Sequence, residues 1–324
     1  MSVTYIDAIR QAMTELLEED PAVFLMGEDI AGKFGGAFKA TKGLDARFPG
    51  RVLNTPIAED AIMGMGIGAA LEGMKPILEM QFADFGILAL NQMGNNAGAH
   101  YYRTGMPLNL TLRMPCGGTP AGGPYHSQCP EALFAHFPGL HVFTPATVAD
   151  AYFMLKEAVR IPDPVVFMEH KFLYRWLKAD SWIDPEPLPV GSVRIARPGR
   201  DATVVAFSAM VPEALQAAEL LQRECGYELE VVDLRCIKPL DVGGILGSVA
   251  RTGRLLVVSE DFPWGGVAAE VISAVTSEGF HLLDAPPLRI TAPDTPIPYH
   301  PDLWKAHRPG AAKIAQTARY LITL

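Results

Sequence analysis

Charge is scarce in this sequence. Only 19% of its 324 residues are Asp, Glu, Lys or Arg, against 49% apolar. That ratio excludes an intrinsically disordered chain and supplies enough apolar surface for large buried cores. Basic charge is shortest of all: 27 Lys and Arg face 36 Asp and Glu, a net charge of −9. A general nucleic-acid surface needs a basic footprint, so that class is excluded, although a local basic patch can still meet phosphates. Cysteine is equally thin. Cys116, Cys129, Cys225 and Cys236 form no C-x-x-C pair and lack zinc-site spacing. They read as reduced thiols of a cytoplasmic protein. No apolar run approaches the roughly 20 residues that span a bilayer, so no membrane partner is expected. There is no repeat of fixed period and no low-complexity tract.

What is present starts with an amphipathic helix. Thr4 and Asp7 form a capping pair, and Ile6, Ile9, Met13, Leu16 and Leu17 then recur at helical spacing. The stretch is acidic and so does not look like an Arg-rich transit peptide. A chain of this length predicts two domains. Short apolar runs at 23–26, 51–54, 76–80, 108–114, 141–144 and 165–169 predict strands. Helical patterns at 59–72, 87–102 and 148–159 lie between them. Such alternation predicts an α/β fold with a mostly parallel sheet. Prolines at alternate positions, Pro185, Pro187 and Pro189, then break the pattern. An extended linker over 186–200 is expected there, ending in the turn Arg197-Pro198-Gly199-Arg200. A second α/β domain over 201–324 follows, with strands at 201–207, 229–233, 254–259 and 288–291 and helices at 212–223 and 267–276.

Gly64, Gly66 and Gly68 form G-x-G-x-G, which is not the dinucleotide spacing. They fall inside the predicted helix, where small residues permit close packing. This opposes a nicotinamide-dependent oxidoreductase. Glu59 follows the Thr55-Pro56 turn at the start of the same helix. On the residues alone it either complements the helix dipole or serves as a buried carboxylate beside a heterocyclic base. Phe85 ends Gln81-Phe82-Ala83-Asp84-Phe85 and suits either core packing or an aromatic platform, with Gln81 as a nearby polar contact. His126 lies in the Gly/Pro-rich loop 115–128, with Ser127 and Gln128 beside it. Long ordered loops often carry function, and a histidine there exchanges protons near neutral pH. Glu28 and Asp29 follow the first strand at Gly27.

Taken in order, Gly27-Glu28-Asp29, Thr55-Pro56-Ile57-Ala58-Glu59, Gln81-Phe82-Ala83-Asp84-Phe85, Arg113-Met114-Pro115, His126-Ser127-Gln128, Asp233-Leu234-Arg235, Ser259-Glu260-Asp261 and Asp294-Thr295-Pro296 cover nearly the whole chain. Together they resemble the β subunit of the thiamine-diphosphate-dependent 2-oxo acid dehydrogenases, the pyruvate, branched-chain and acetoin family. The resemblance implies a pyrimidine-binding domain over 1–185 and a transketolase C-terminal-like domain over 201–324. It implies that Glu59 partners N1′ of the aminopyrimidine and that Phe85 and Gln81 line that ring. It places His126 at the substrate channel, assisting acyl transfer to a lipoyl group, and Glu28 on an acidic proton path. Carbonyls of Ala158, Val159 and Ile161, with Asp163, correspond to a potassium site of some relatives. No Gly-Asp-Gly is present, the motif with which such enzymes hold magnesium and the diphosphate. The resemblance therefore implies half a cofactor site, completed by an α subunit in an α2β2 heterotetramer that carries the magnesium. At this length the chain is too short for the single-chain plan of transketolases. The implied activity is oxidative decarboxylation of a 2-oxo acid, branched-chain ahead of pyruvate, with acyl transfer to the lipoyl domain of a dihydrolipoyl acyltransferase core. An acetoin dehydrogenase β subunit or a non-catalytic assembly subunit are the alternatives.

Overall fold

The computed structural model describes residues 2–324. They form two compact units, one of residues up to 117 with 133–187, the other of 118–132 with 188–324.

The first unit begins with the short strand β1 (Val3–Thr4) and helix α1 (Tyr5–Glu19). The Thr4 side chain accepts the Asp7 N–H, and Asp7 in turn accepts the Thr4 N–H. This reciprocal cap satisfies two otherwise orphaned donors and starts the helix where the sequence predicts. Strands β2 (Val23–Gly27), β3 (Val52–Asn54), β4 (Lys75–Glu79), β5 (Thr111–Cys116), β6 (His141–Phe143) and β7 (Val165–His170) follow. They form a parallel sheet in the order β6-β7-β5-β4-β2-β3. All six residues of β5 and of β7 are buried. Continuous burial is what a sheet covered on both faces requires. Strand β8 (Lys178–Ala179) returns antiparallel to β1.

Helix α2 (Glu59–Leu71) carries Gly64, Gly66 and Gly68 in its interior. A side chain at Gly66 would meet Leu78 of β4, so this glycine permits close helix–sheet packing. The stretch 87–102, predicted as one helix, is instead three pieces. A 3₁₀ turn covers Ile87–Ala89, a π-helical turn Gln92–Gly98 and an α-turn His100–Thr104. Gly94 abuts the Phe137 ring and Gly98 the Pro138 carbonyl, so the backbone is pressed against its neighbours where the helix widens. Helix α3 (Val148–Arg160) is capped by the Thr147 side chain and packs on α1, where Lys156 bridges Glu15 and Glu19 at 2.6 and 2.7 Å.

The interior of this unit holds a charged cluster. Arg113 donates from Nε to Glu169 Oε1 at 2.6 Å and from Nη2 to Glu169 Oε2 at 2.8 Å, while its Nη1 reaches Glu79 at 2.5 Å. The Tyr174 hydroxyl donates to Glu169 Oε2 at 2.7 Å. Burial pushes the Glu79 carboxyl up, Arg113 opposes this and the Glu169 charge adds to it; the net direction is upward. Burial and the Glu169 charge likewise push the Tyr174 hydroxyl well up.

The second unit contains β9 (Arg194–Arg197), β10 (Ala202–Ala206), β11 (Leu229–Asp233), β12 (Leu255–Val258) and β13 (Leu288–Ile290). Their order is β13-β12-β10-β11-β9, parallel except for β9 at the edge. Helices α4 (Met210–Cys225), α5 (Val242–Thr252), α6 (Val267–Gly279), α7 (Pro301–His307) and α8 (Ala311–Thr323) complete it. The sequence pattern reveals neither α5 nor the last two helices. The segment before β9 is tied down: buried Arg235 donates to the carbonyls of Leu188, Pro189 and Ser192 at 3.1, 2.9 and 2.9 Å. Among the described residues no helix is long and apolar enough to cross a membrane.

Candidate functional site

Register fixes where the first unit's polar residues gather. Gly27 pairs with both Asn54 and Glu79, so β2, β3 and β4 end at one edge of the sheet. Glu28, the 55–59 turn and Gln81–Phe85 all leave the sheet there. Open parallel sheets bind their ligands outside such carboxyl ends.

Glu28 is 3% exposed and Glu59 6%. Asp29, with φ of 53°, turns the chain sharply after β2, and its carbonyl accepts the Gly36 N–H at 2.9 Å. Glu59 is the first residue of α2, whose cap, Ala58, supplies no side-chain bond. Burial, and then the charges of Glu59 and Asp29, hold the Glu28 carboxyl above the usual carboxylate range. Glu28 Oε1 and Thr55 Oγ1 are buried and lack a hydrogen-bond partner among the described residues. Buried polar groups are nearly always paired, so unpaired ones clustered at a strand edge mark a place for a polar ligand.

Gln81 and Phe85 are half-buried. Phe85 lies in the short helix Ala83–Gly86 rather than in an open loop. Its ring meets Phe82 edge-on at 5.8 Å, and Phe82 meets Phe38 edge-on at 5.4 Å. Lys171 Nζ sits 5.1 Å from the Phe82 ring centre, a cation over an aromatic face. Phe38, Phe82 and Lys171 were not singled out from the sequence; the only signal was Phe82 inside the run 81–85.

The structure thus brings Glu28 and Glu59 together and sets Gln81 and Phe85 at the same sheet edge. His126 belongs to the second unit, on the loop 118–132, where it is half-buried beside fully buried Ser127. Gln128 folds back to donate to the Pro124 carbonyl at 3.2 Å. That loop walls a cavity of about 500 Å³, with Pro124, Tyr125 and Gln128 on one side and Phe262 and residues 294–297 on the other.

Ala158 and Val159 lie in the last turn of α3, whose carbonyls have no partner further along the helix. The Ile161 carbonyl accepts the Asn109 side-chain amide at 2.8 Å, and Asp163 lies 3.7 Å from His141 Nε2. These are oxygen donors, the type a hard cation takes.

Residues 1–176 match the transketolase pyrimidine binding domain and residues 191–314 the transketolase C-terminal domain. The chain is 44% identical to the 2-oxoisovalerate dehydrogenase subunit beta of Bacillus subtilis (strain 168), covering 99% of each chain. It is 41% identical to the mitochondrial pyruvate dehydrogenase E1 component subunit beta-1 of Oryza sativa subsp. japonica, over 98% of this chain and 86% of that one. Among solved structures it resembles a split gene transketolase described as an inactive beta4 tetramer, with a TM-score of 0.82, 25% identity and 99% of each chain covered.

Proposed function

We propose a function from one established premise: this chain belongs to the transketolase-like family of 2-oxo acid dehydrogenase E1 β subunits. It works as the β subunit of a decarboxylating component, acting on a branched-chain 2-oxo acid ahead of pyruvate. The observation that carries this reading is the pair of buried carboxylates, Glu28 and Glu59, beside an unpaired Thr55 hydroxyl at the carboxyl edge of a parallel sheet. A heterocycle bearing an amine and ring nitrogens fits that set of groups.

Thiamine diphosphate, when bound, supplies a nucleophilic carbon and an electron sink. The residues of this chain do the rest. Glu59 holds a proton against the ring nitrogen and fixes the ring's register. Glu28, whose carboxyl keeps its proton to higher pH than an ordinary glutamate, receives or returns a proton beside it. Phe85 and Gln81 close the ring's wall. His126 serves the transfer of the acyl group to lipoyl-lysine.

The absence of Gly-Asp-Gly supports a split site. An α subunit completes it in an α2β2 assembly and brings magnesium with the diphosphate cradle. The inactive, β-only tetramer of the split transketolase points the same way. A dihydrolipoyl acyltransferase core is the acyl acceptor. Ala158, Val159, Ile161 and Asp163 are the oxygen donors for a structural potassium ion. A cytoplasmic location completes the reading.

The test is decarboxylation by this chain alone and with its α partner, given thiamine diphosphate, magnesium and an artificial electron acceptor. Pyruvate, 3-methyl-2-oxobutanoate and acetoin would be compared. Activity is expected only in the mixture, and fastest with 3-methyl-2-oxobutanoate. No turnover from a properly formed heterotetramer would overturn the reading.

A further inference from the structure

The loop that carries His126 is held in the second unit by a chain of charges. Glu260 Oε1 accepts the Gly118 main-chain N–H at 2.9 Å. Its other oxygen accepts from Arg308 Nε at 3.2 Å, and Arg308 Nη1 donates to Glu213 at 3.0 Å. Glu213 is pinned in turn by the Ala311 N–H at 3.0 Å, at the start of α8. The Glu260 and Arg308 side chains are only 9% and 8% exposed. The Arg308 guanidinium lies 5.3 Å from the Trp304 ring centre, and that indole leaves no room for a side chain at Gly118. Further along, Gly123, at φ of +66°, rests against Tyr299 with no room for a Cβ. The loop is therefore docked at its root and near its middle, three residues before His126.

A charge-assisted bond to a backbone N–H is stronger than a neutral one, and a carboxylate already gripped by arginine cannot swing away. Glu260 stands next to Ser259 and Asp261, which bond to each other, and Asp261 accepts the Val267 N–H at 2.8 Å. Its backbone is thus fixed independently of the loop. The arrangement aims one main-chain N–H of a Gly/Pro-rich loop that would otherwise have many conformations.

We infer that Glu260, held by Arg308, is a positioning residue that sets the His126 loop for acyl transfer. The inference rests on the role proposed for His126 but concerns the loop's geometry, which can be observed without turnover.

The experiment uses the assembled heterotetramer carrying Glu260→Ala, Glu260→Gln or His126→Ala. Amide hydrogen exchange is read across 118–132, together with the thermal midpoint. Decarboxylation with an artificial acceptor and acylation of a lipoyl domain are assayed separately. Glu260→Ala should speed exchange at 118–123 by about tenfold or more. It should slow acylation by about tenfold while decarboxylation stays within about twofold. Glu260→Gln keeps an acceptor for Gly118 but loses the charge that Arg308 grips, so it should fall between; if the alanine variant does not assemble, the glutamine variant decides. Unchanged exchange at 118–123 in a folded variant, or equal loss in both half-reactions, would overturn the inference. His126→Ala separates the two ideas. If it shows no selective loss of acylation, the histidine's role fails while the exchange result still judges the anchor.

Discussion

Arg113 grips both oxygens of Glu169 in the interior of the first unit and still reaches Glu79 with its remaining nitrogen. Adjacent strands β4, β5 and β7 each contribute one member, so the cluster cross-links the sheet just before the chain leaves it toward the candidate site. One guanidinium serves two buried carboxylates; burial first, and then the Glu169 charge, push Glu79 toward its neutral form against the pull of Arg113.

Removing the cation should therefore be severe. Arg113→Met strands two buried acids and should cost about 3–5 kcal/mol. Glu79→Gln, which replaces a carboxyl already biased to neutrality, should cost far less. Chemical denaturation of the three proteins checks the ranking, and equal losses would show that the charge balance is not the cause.

Glu28 gives a pH signature. Its folded carboxyl is held above its unfolded value by burial, Glu59 and Asp29. The folded state then binds the proton more tightly than the unfolded state. Its favourable contribution is complete below the unfolded pKa and is lost as pH rises through the folded one. Glu28→Gln should remove that slope and leave the protein more stable than the parent near pH 7. Unfolding midpoints across pH 4 to 8 in both proteins would reveal it, and parallel profiles would contradict it.

Glu59→Gln should leave the fold intact, since among the described residues its carboxylate makes no hydrogen bond or ion pair to lose, but slow decarboxylation by about 10²–10⁴-fold, the usual worth of a positioned acid–base group. Turnover by the reconstituted heterotetramer, beside its thermal midpoint, is the check. Unaltered turnover would remove Glu59 from its role.

Phe85→Ala should weaken thiamine diphosphate binding by about 0.5–1.5 kcal/mol, the worth of an aromatic contact. Phe85→Tyr should stay close to the parent. Fluorescence titration of the cofactor distinguishes the two; identical affinities for Ala and Phe would show that the ring faces only Phe82.

Much of this was legible in order along the chain. The strands at 23–27, 165–170 and 229–233 are short, apolar and bounded by turn residues, and local pattern suffices for such elements. The position of Glu59 at the start of α2 was legible because a Pro-set turn announces the helix it begins. The break-up of 87–102 was not, because Gly94 and Gly98 yield to Phe137 and Pro138, some 40 residues away in sequence. The Arg113 cluster was hidden for the same reason: charges in a strand declare nothing about partners on strands far along the chain. Glu260 stood in a recognisable run, Ser259-Glu260-Asp261, but its hold on Gly118 spans 142 positions.

Arg235 carries a different lesson. By gripping the carbonyls of Leu188, Pro189 and Ser192, it turns the last stretch of the crossing into part of the second unit's body. Chain length is therefore metered from Leu188 onward: an inserted residue after that point would slide a carbonyl out of the guanidinium's reach. The exposed, proline-spaced residues just before it are where natural variation in length, or a protease's cut, would be absorbed.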